Sequence, residues 1–219
     1  MINKDYILRL AEQLGRELAI LLRLREYNKQ EEALIAIDDL LLKTVGLTSR
    51  FINSLPEETL LKTLSPLGTI NVEAGLWIAS LLQSEGEIYA ELGAPNESYY
   101  RSLKALYLFL AIILQEPIET SSTFYAAIRA LLKNLEEYEL PAHVKRLLFG
   151  YYELIGQYAR AEDTLFDLLE EMKGDRELLT QGQAFYQRLQ TRSNADLQAG
   201  NLTHEEVAEG LAQLQRFAE

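Results

Sequence analysis

The chain contains no cysteine, which removes disulfides, thiolate metal sites and thiol nucleophiles and suits a reducing compartment. Histidine is nearly as scarce. His143 and His204 stand alone, in neither an H-x-x-x-H nor an H-E-x-x-H spacing. The run Glu139–His143 is one residue too long for the E-x-x-H of di-iron bundles, and Pro141 interrupts it. No metal or cofactor is therefore expected. Basic residues are in deficit, with 21 Lys and Arg against 33 Asp and Glu, for a net charge of −12. The deficit holds in both halves, so no cationic domain is hidden inside an acidic chain, and a nucleic-acid partner is not expected. Apolar runs are short. The longest, residues 103–114, is a dozen residues against the roughly 20 that a membrane helix needs. The first residues mix charges of both signs from Lys4, unlike a signal peptide. A soluble, cytoplasmic protein is the expectation. Nucleotide-binding glycine loops, the nucleophile elbow and calcium-loop spacings are all missing, so no enzyme activity is expected.

What is present is helix. Residues 98–115 read S-Y-Y-R-S-L-K-A-L-Y-L-F-L-A-I-I-L-Q, and from Leu103 to Leu114 only Lys104 is charged. A helix apolar on all sides has no face to give to water, so other helices must wrap it. Around it the spacing predicts helices over residues 5–27 and 30–45, the second ended by Gly46. A short helix after Pro56 is expected, with Ser54 as its cap and Pro66 and Gly68 at its end. Helices follow over residues 72–92, then 98–115 closed by Pro117, then one capped by Ser121 or Ser122, then 142–155 and 158–172. One helix is expected over 176–199, and a last one opened by the capping box Thr203–Glu206. Gly93-Ala94-Pro95-Asn96 is read as a turn. No segment shows strand alternation. That makes about ten helices in an all-α fold of stacked antiparallel hairpins. Residues 1–173 are read as one helical-repeat domain and residues 174–219 as a more polar hairpin, a cap or tail of the same domain.

Gly86, Tyr89, Ser98 and Ala105 follow one another at intervals of 3, 9 and 7. This resembles the tetratricopeptide-repeat signature, in which a glycine, an aromatic and two small residues let paired helices approach closely. Asn28–Ala33 and Gly156–Ala161 match the repeat's turn and second-helix start only in part. Asp5–Arg16, Glu31–Leu34 and Leu55–Glu58 are similar to an uncharacterised bacterial family of tetratricopeptide-like proteins. The resemblance implies a degenerate right-handed superhelix. It supplies no catalytic residues.

If that register holds, the inner face of the stack carries Ser80, Gln83, Glu87 and Glu91, and further along His143, Arg146 and Glu153. No basic residue lies between Lys62 and Arg101, while Glu73, Glu85, Glu87, Glu91 and Glu97 do. Such a surface suits a basic peptide or protein. Adjacent carboxylates such as Asp38-Asp39, Glu136-Glu137, Glu162-Asp163 and Glu205-Glu206 point about 100° apart on a helix and read as solvated faces. Twelve tyrosines are divided between helix junctions and binding surfaces, with Tyr99 and Tyr152 the candidates for exposed anchors. Trp77 reads as core. The first functional expectation is a non-catalytic scaffold that binds a protein or peptide at Gln83, Glu87, Glu91, His143, Arg146 and Glu153. The second is a self-associating module, a homodimer closed through Leu18 and Leu22 of the first helix. The third is an enzyme with an unfamiliar acidic site.

Overall fold

A computed structural model describes residues 4–66, 68–116, 118–119 and 122–217. Twelve helices and no strand occur among them. The chain forms two compact units, Met1–Glu139 and Leu140–Glu219.

In the first unit, α1 (Lys4–Glu26) and α2 (Gln30–Val45) form a hairpin, turned at Asn28 in a left-handed conformation. Gly46 ends α2 at φ 71°, its N–H closing on the Leu42 carbonyl. Two short helices follow, α3 (Ser49–Ser54) and α4 (Glu57–Thr63), and then α5 (Val72–Glu91) and α6 (Pro95–Gln115). Asn71 caps α5 by accepting from the Ala74 N–H at 3.1 Å. Gly93, at φ 70°, makes the turn that lets α6 fold straight back. Pro95 and Asn96 are already helical, because proline fits the first position of a helix where its missing N–H is not needed. The last helix of the unit is α7 (Thr123–Asn134).

Hairpin α5/α6 is the centre of the first unit. A Cβ on Gly86 would meet Ser102 Oγ at 2.8 Å and the Ser98 carbonyl at 3.2 Å, and one on Gly75 would meet Ile112 Cδ1 at 2.7 Å. Residues 86 and 75 thus face residues 98–102 and 112, which is antiparallel pairing with the backbones drawn close. On α6 every residue from Ser102 to Ile113 is buried, and Trp77 on α5 is 2% exposed. The wrapped core helix is therefore as its all-apolar sequence required. Tyr6 bonds Glu73, and Arg25 bonds Glu87 and Glu91, so α1 runs parallel to α5. Gln30 at the start of α2 reaches Glu91 at the end of α5, so α2 runs antiparallel to it. Phe109 packs on Phe124 and Tyr99 on Tyr138, which sets α7 antiparallel to α6.

The second unit contains α8 (Ala142–Leu154), α9 (Tyr158–Glu171), α10 (Arg176–Gln190), α11 (Asn194–Ala199) and α12 (His204–Arg216). Pairs 146–175, 149–185 and 153–188 make α8 and α10 parallel. Gly182 sits between Leu165 of α9 and Leu214 of α12, and Tyr186 bonds Glu162, so α10 is antiparallel to α9. Residues 176–216 pack with α9 around one apolar cluster that includes Leu165, Leu168, Phe185, Tyr186, Val207 and Leu214.

Several sequence expectations change. Twelve helices replace about ten, because α3 and α11 are separate. The helix expected over 176–199 stops at Gln190, and Ser193 starts a new one by accepting from the Asp196 N–H at 3.2 Å. Ser54 is not the cap of α4. Its hydroxyl donates back to the Phe51 carbonyl, and Pro56 stands at the cap position without a side-chain bond. Helix α4 ends at Thr63, before Pro66. The capping box of α12 is complete: Glu206 N–H donates to Thr203 Oγ1 at 3.2 Å, and Thr203 N–H to Glu206 Oε2 at 2.8 Å. Ser122 precedes α7 without a side-chain cap bond, while Ser121 and Pro117 lie outside the described residues.

Candidate binding site

A six-residue helix is too short to be stable by itself, and α3 is held at both ends by charges from other helices. At its start the Ser49 N–H donates to Asp38 Oδ1 at 2.6 Å and the Ser49 hydroxyl to Glu85 Oε1 at 2.5 Å. Asn53 Nδ2 reaches Glu85 Oε2 at 3.3 Å. At its end Lys104 Nζ donates to the carbonyls of Ile52 (3.1 Å), Asn53 (3.2 Å) and Leu55 (2.5 Å). Carboxylates at the N-terminus and an ammonium at the C-terminus are the signs that the helix dipole favours. Glu85 and Lys104 are each 4% exposed. Arg101 Nε lies 3.1 Å from Glu85 Oε2, and its guanidinium covers the Tyr89 ring with a 4.2 Å separation. Burial pulls the pKa of the Lys104 ammonium below its ordinary value, and nearby Glu57 opposes the shift. The lone charge of the apolar run 103–114 is thus the group that caps α3.

Beyond this buried network a groove opens. It lies between the end of α1, the α5/α6 turn and the end of α7, and holds about 670 Å³, a volume in the range of ligand and peptide sites. Arg25 crosses one wall. Its Nη1 lies 2.5 Å from Glu87 Oε2, its Nη2 2.6 Å from Glu91 Oε1, and its Nε bonds Glu91 Oε1 at 3.0 Å. The bonds from Arg25 hold the Glu91 carboxyl below its usual pKa range, against the opposing effect of burial. The facing wall is aromatic: Tyr99 and Tyr138 stack at 4.7 Å between centroids, and Tyr100 meets Tyr99 edge-on at 5.2 Å. Burial raises the Tyr99 hydroxyl's pKa, so that group stays a neutral hydrogen-bonding phenol. Ser98, Ser102, Asn134 and Glu137 add polar groups to the lining, and Ala90, Gly93, Pro95 and Leu135 complete it.

Of the expected site residues, Glu87 and Glu91 line this groove; Gln83 does not, though its Nε2 donates to Glu87 Oε1 at 3.4 Å. Ser80 does not join them, being buried. His143, Arg146 and Glu153 belong to the second unit. There Arg146 Nη2 bonds Asp175 Oδ2 at 2.5 Å, and Glu153 accepts two bonds from Arg188 at 2.6 and 2.8 Å. Tyr99 and Tyr152 are half-buried, less open than anchors in free solvent. Arg25, Glu137 and Tyr138 were not among the expected residues. Arg25 pairs across 62 and 66 residues of sequence, a separation that leaves no local signal.

The second unit has its own cleft, of about 410 Å³, lined by Glu162, Asp163, Phe166, Asp167, Glu206, Glu209, Gly210 and Gln213. Five of those eight are carboxylic acids and none is basic. Glu162 accepts from Tyr186 Oη at 2.6 Å. Burial raises the Glu162 carboxyl's pKa despite that bond, and Asp163 and Glu206 add to the rise. No group of three or more His, Asp or Glu among the described residues is arranged to hold a metal ion. No helix among them is long and apolar enough to cross a membrane.

The chain belongs to a family described as "Family of unknown function (DUF6483)", whose model matches residues 1–219. No curated protein and no solved structure matches it.

Proposed function

We propose that this member of the family is a non-catalytic scaffold that binds a protein or peptide segment in the groove between α1, the α5/α6 turn and α7. The observation that carries the reading is the pairing of a tyrosine wall with a carboxylate wall already organised by Arg25. Tyrosines offer contact area at small entropic cost, together with a hydroxyl. The carboxylates left over once Arg25 is matched, with Glu137 at the rim, favour a segment carrying Lys or Arg. The helix directions support a tetratricopeptide-like stack: α1, α5 and α7 run one way and α2 and α6 the other, as first and second helices of successive repeats do. In such stacks partners bind along the surfaces that successive repeats build together. A cysteine-free acidic chain fits a bacterial cytoplasm as its place of work.

The test is fluorescence anisotropy with a panel of labelled peptides carrying Lys or Arg among apolar residues, titrated with the full chain. At least one peptide should bind at moderate salt. The double substitution Tyr99→Ala, Tyr138→Ala should weaken it about tenfold or more, the loss typical of truncated aromatic anchors, with the helical circular dichroism unchanged. No binding across the panel, or binding indifferent to the tyrosines, contradicts the proposal.

A further inference from the structure

Helix α1 buries Leu10, Leu14 and Leu21. A second stripe on the same helix is exposed at Leu8, Gly15, Ala19 and Leu22 and half-buried at Ala11 and Leu18. At about 100° per residue, Leu18, Ala11, Leu22, Gly15, Leu8 and Ala19 fall within one arc of about 100° beside the buried face. Leu8 is 57% exposed and Leu22 50%. Gly15 is exposed, and a Cβ there would meet nothing within 4 Å. Ile20, also exposed, lies roughly opposite the arc and is not part of it. A continuous apolar stripe on a first helix, about four helical turns long, is a face built to be covered.

We propose that what covers it is α1 of a second copy of this chain, antiparallel about a two-fold axis at Gly15. The spacing is symmetric about that residue: Leu8 and Leu22 each stand seven positions away, so each meets the other across the axis, and glycine at the crossing lets the backbones approach. The charges beside the stripe choose the direction. Along the exposed edge of the arc, within about 60° of it, Asp5 and Glu12 occupy the N-terminal half and Arg16 and Arg23 the C-terminal half, while Arg9 lies further round, its Nε turned back to the Asp5 carbonyl. A two-fold of this kind keeps each edge on its own side and reverses it end to end. Glu12 then lies beside Arg16 of the second copy, and Asp5 beside Arg23. A parallel two-fold would carry the two charged edges to opposite sides of the contact and leave the pairs Glu12–Arg16 and Asp5–Arg23 unmade. The face is self-complementary in shape and charge only when antiparallel, as an isologous contact requires.

Sedimentation equilibrium and single-cysteine cross-linking on the full chain test this. The wild type should sediment as a concentration-dependent dimer. Glu12→Arg and Arg16→Glu should each shift it toward monomer, and the double exchange E12R/R16E should restore it, because opposite charges face each other again. Since the chain has no cysteine, Gly15→Cys introduces one thiol at the axis. Oxidation should link that variant to itself, whereas Gln13→Cys, outside the arc, should stay unlinked. Leu8→Cys should cross-link with Leu22→Cys in a mixture but not with itself. A monomer at every concentration overturns the proposal. So does a dimer that ignores both charge changes, or one in which Leu8→Cys links to itself. Glu12, Arg16, Gly15 and Gln13 are all exposed, so misfolding does not mimic these outcomes, and a thermal melt of each variant checks that directly.

Discussion

The two units treat their charges in opposite ways. The first takes them inside. Glu85 and Lys104 are buried at the two ends of α3, Arg101 closes on Glu85, and Arg25 reaches from α1 to match two carboxylates at the groove wall. The second keeps its charges near water. Arg188 pairs with Glu153 while its own side chain is 52% exposed, and the five carboxylic acids of its cleft share the lining with no base. Both units set parallel first helices against antiparallel second ones. In the first, α6 is buried along its whole middle; in the second, each helix buries a stripe. An all-apolar helix can be crossed by charge only where every charge has partners, and that requirement makes the first unit specific about where α3 sits. The second unit buries no charge so deeply, and of its cleft's acids Glu162 is the one drawn in far enough for burial to raise its pKa.

Lys104→Met is the hardest test of that contrast. It leaves the carbonyls of Ile52, Asn53 and Leu55 at the buried end of α3 without their shared donor. A loss of about 3 kcal/mol is expected in chemical denaturation. Arg188→Met in the second unit should cost no more than about 0.5 kcal/mol, since exposed ion pairs contribute little. Equal costs would erase the distinction. Next in size is Gly86→Ala. Its methyl would press on the Ser98 carbonyl and Ser102, where backbone cannot yield, and a loss of about 1–3 kcal/mol is expected.

Smaller effects separate two acids of the second unit by pH. The N–H of Leu178, and then Arg146, hold the Asp175 carboxyl below its ordinary range. A depressed acid stabilises the fold above its unfolded pKa, and that contribution is lost as pH falls through the folded value. Asp175→Asn keeps the helix cap, since an amide oxygen also accepts from the Leu178 N–H, but loses the charge beside Arg146; it should therefore cost about 0.5 kcal/mol at neutral pH and should flatten the fall in stability under acid. Glu162 is shifted the other way, by burial first. A raised acid favours the fold at low pH and is a burden once the pH passes its folded value. Glu162→Gln, which still accepts from Tyr186, should raise neutral-pH stability by a few tenths of a kcal/mol, a gain that disappears below the ordinary carboxylate range. Denaturation curves at several pH values check both.

Much of this was legible in the sequence where the signal is local. The run at 103–114 could only be a wrapped helix. Gly46, Gly156 and the Thr203–Glu206 box marked ends that local hydrogen bonds determine. The misses share a cause. Helices α3 and α11 are six residues each, too short to show a period, and their caps, Thr48 to Phe51 and Ser193 to Asp196, were the only marks available. Reading Ser193-x-x-Asp196 as a cap would have divided 176–199 correctly. Lys104 looked like an exception in an apolar run because its partners lie 49–52 residues away. The groove was half legible. Gln83, Glu87 and Glu91 share one helix face, but Arg25 and Tyr138 join the last two through packing that no local pattern encodes.

The central claim is that the tyrosine-lined groove, and not the cleft of five carboxylic acids, holds a cationic segment. Hydrogen–deuterium exchange of the full chain, with and without the tightest Lys- or Arg-bearing peptide of the panel, measures this directly. Protection should appear at residues 90–102 and 134–138 and persist when salt is raised. Protection at 162–167 and 206–213 instead, or none anywhere, would contradict it.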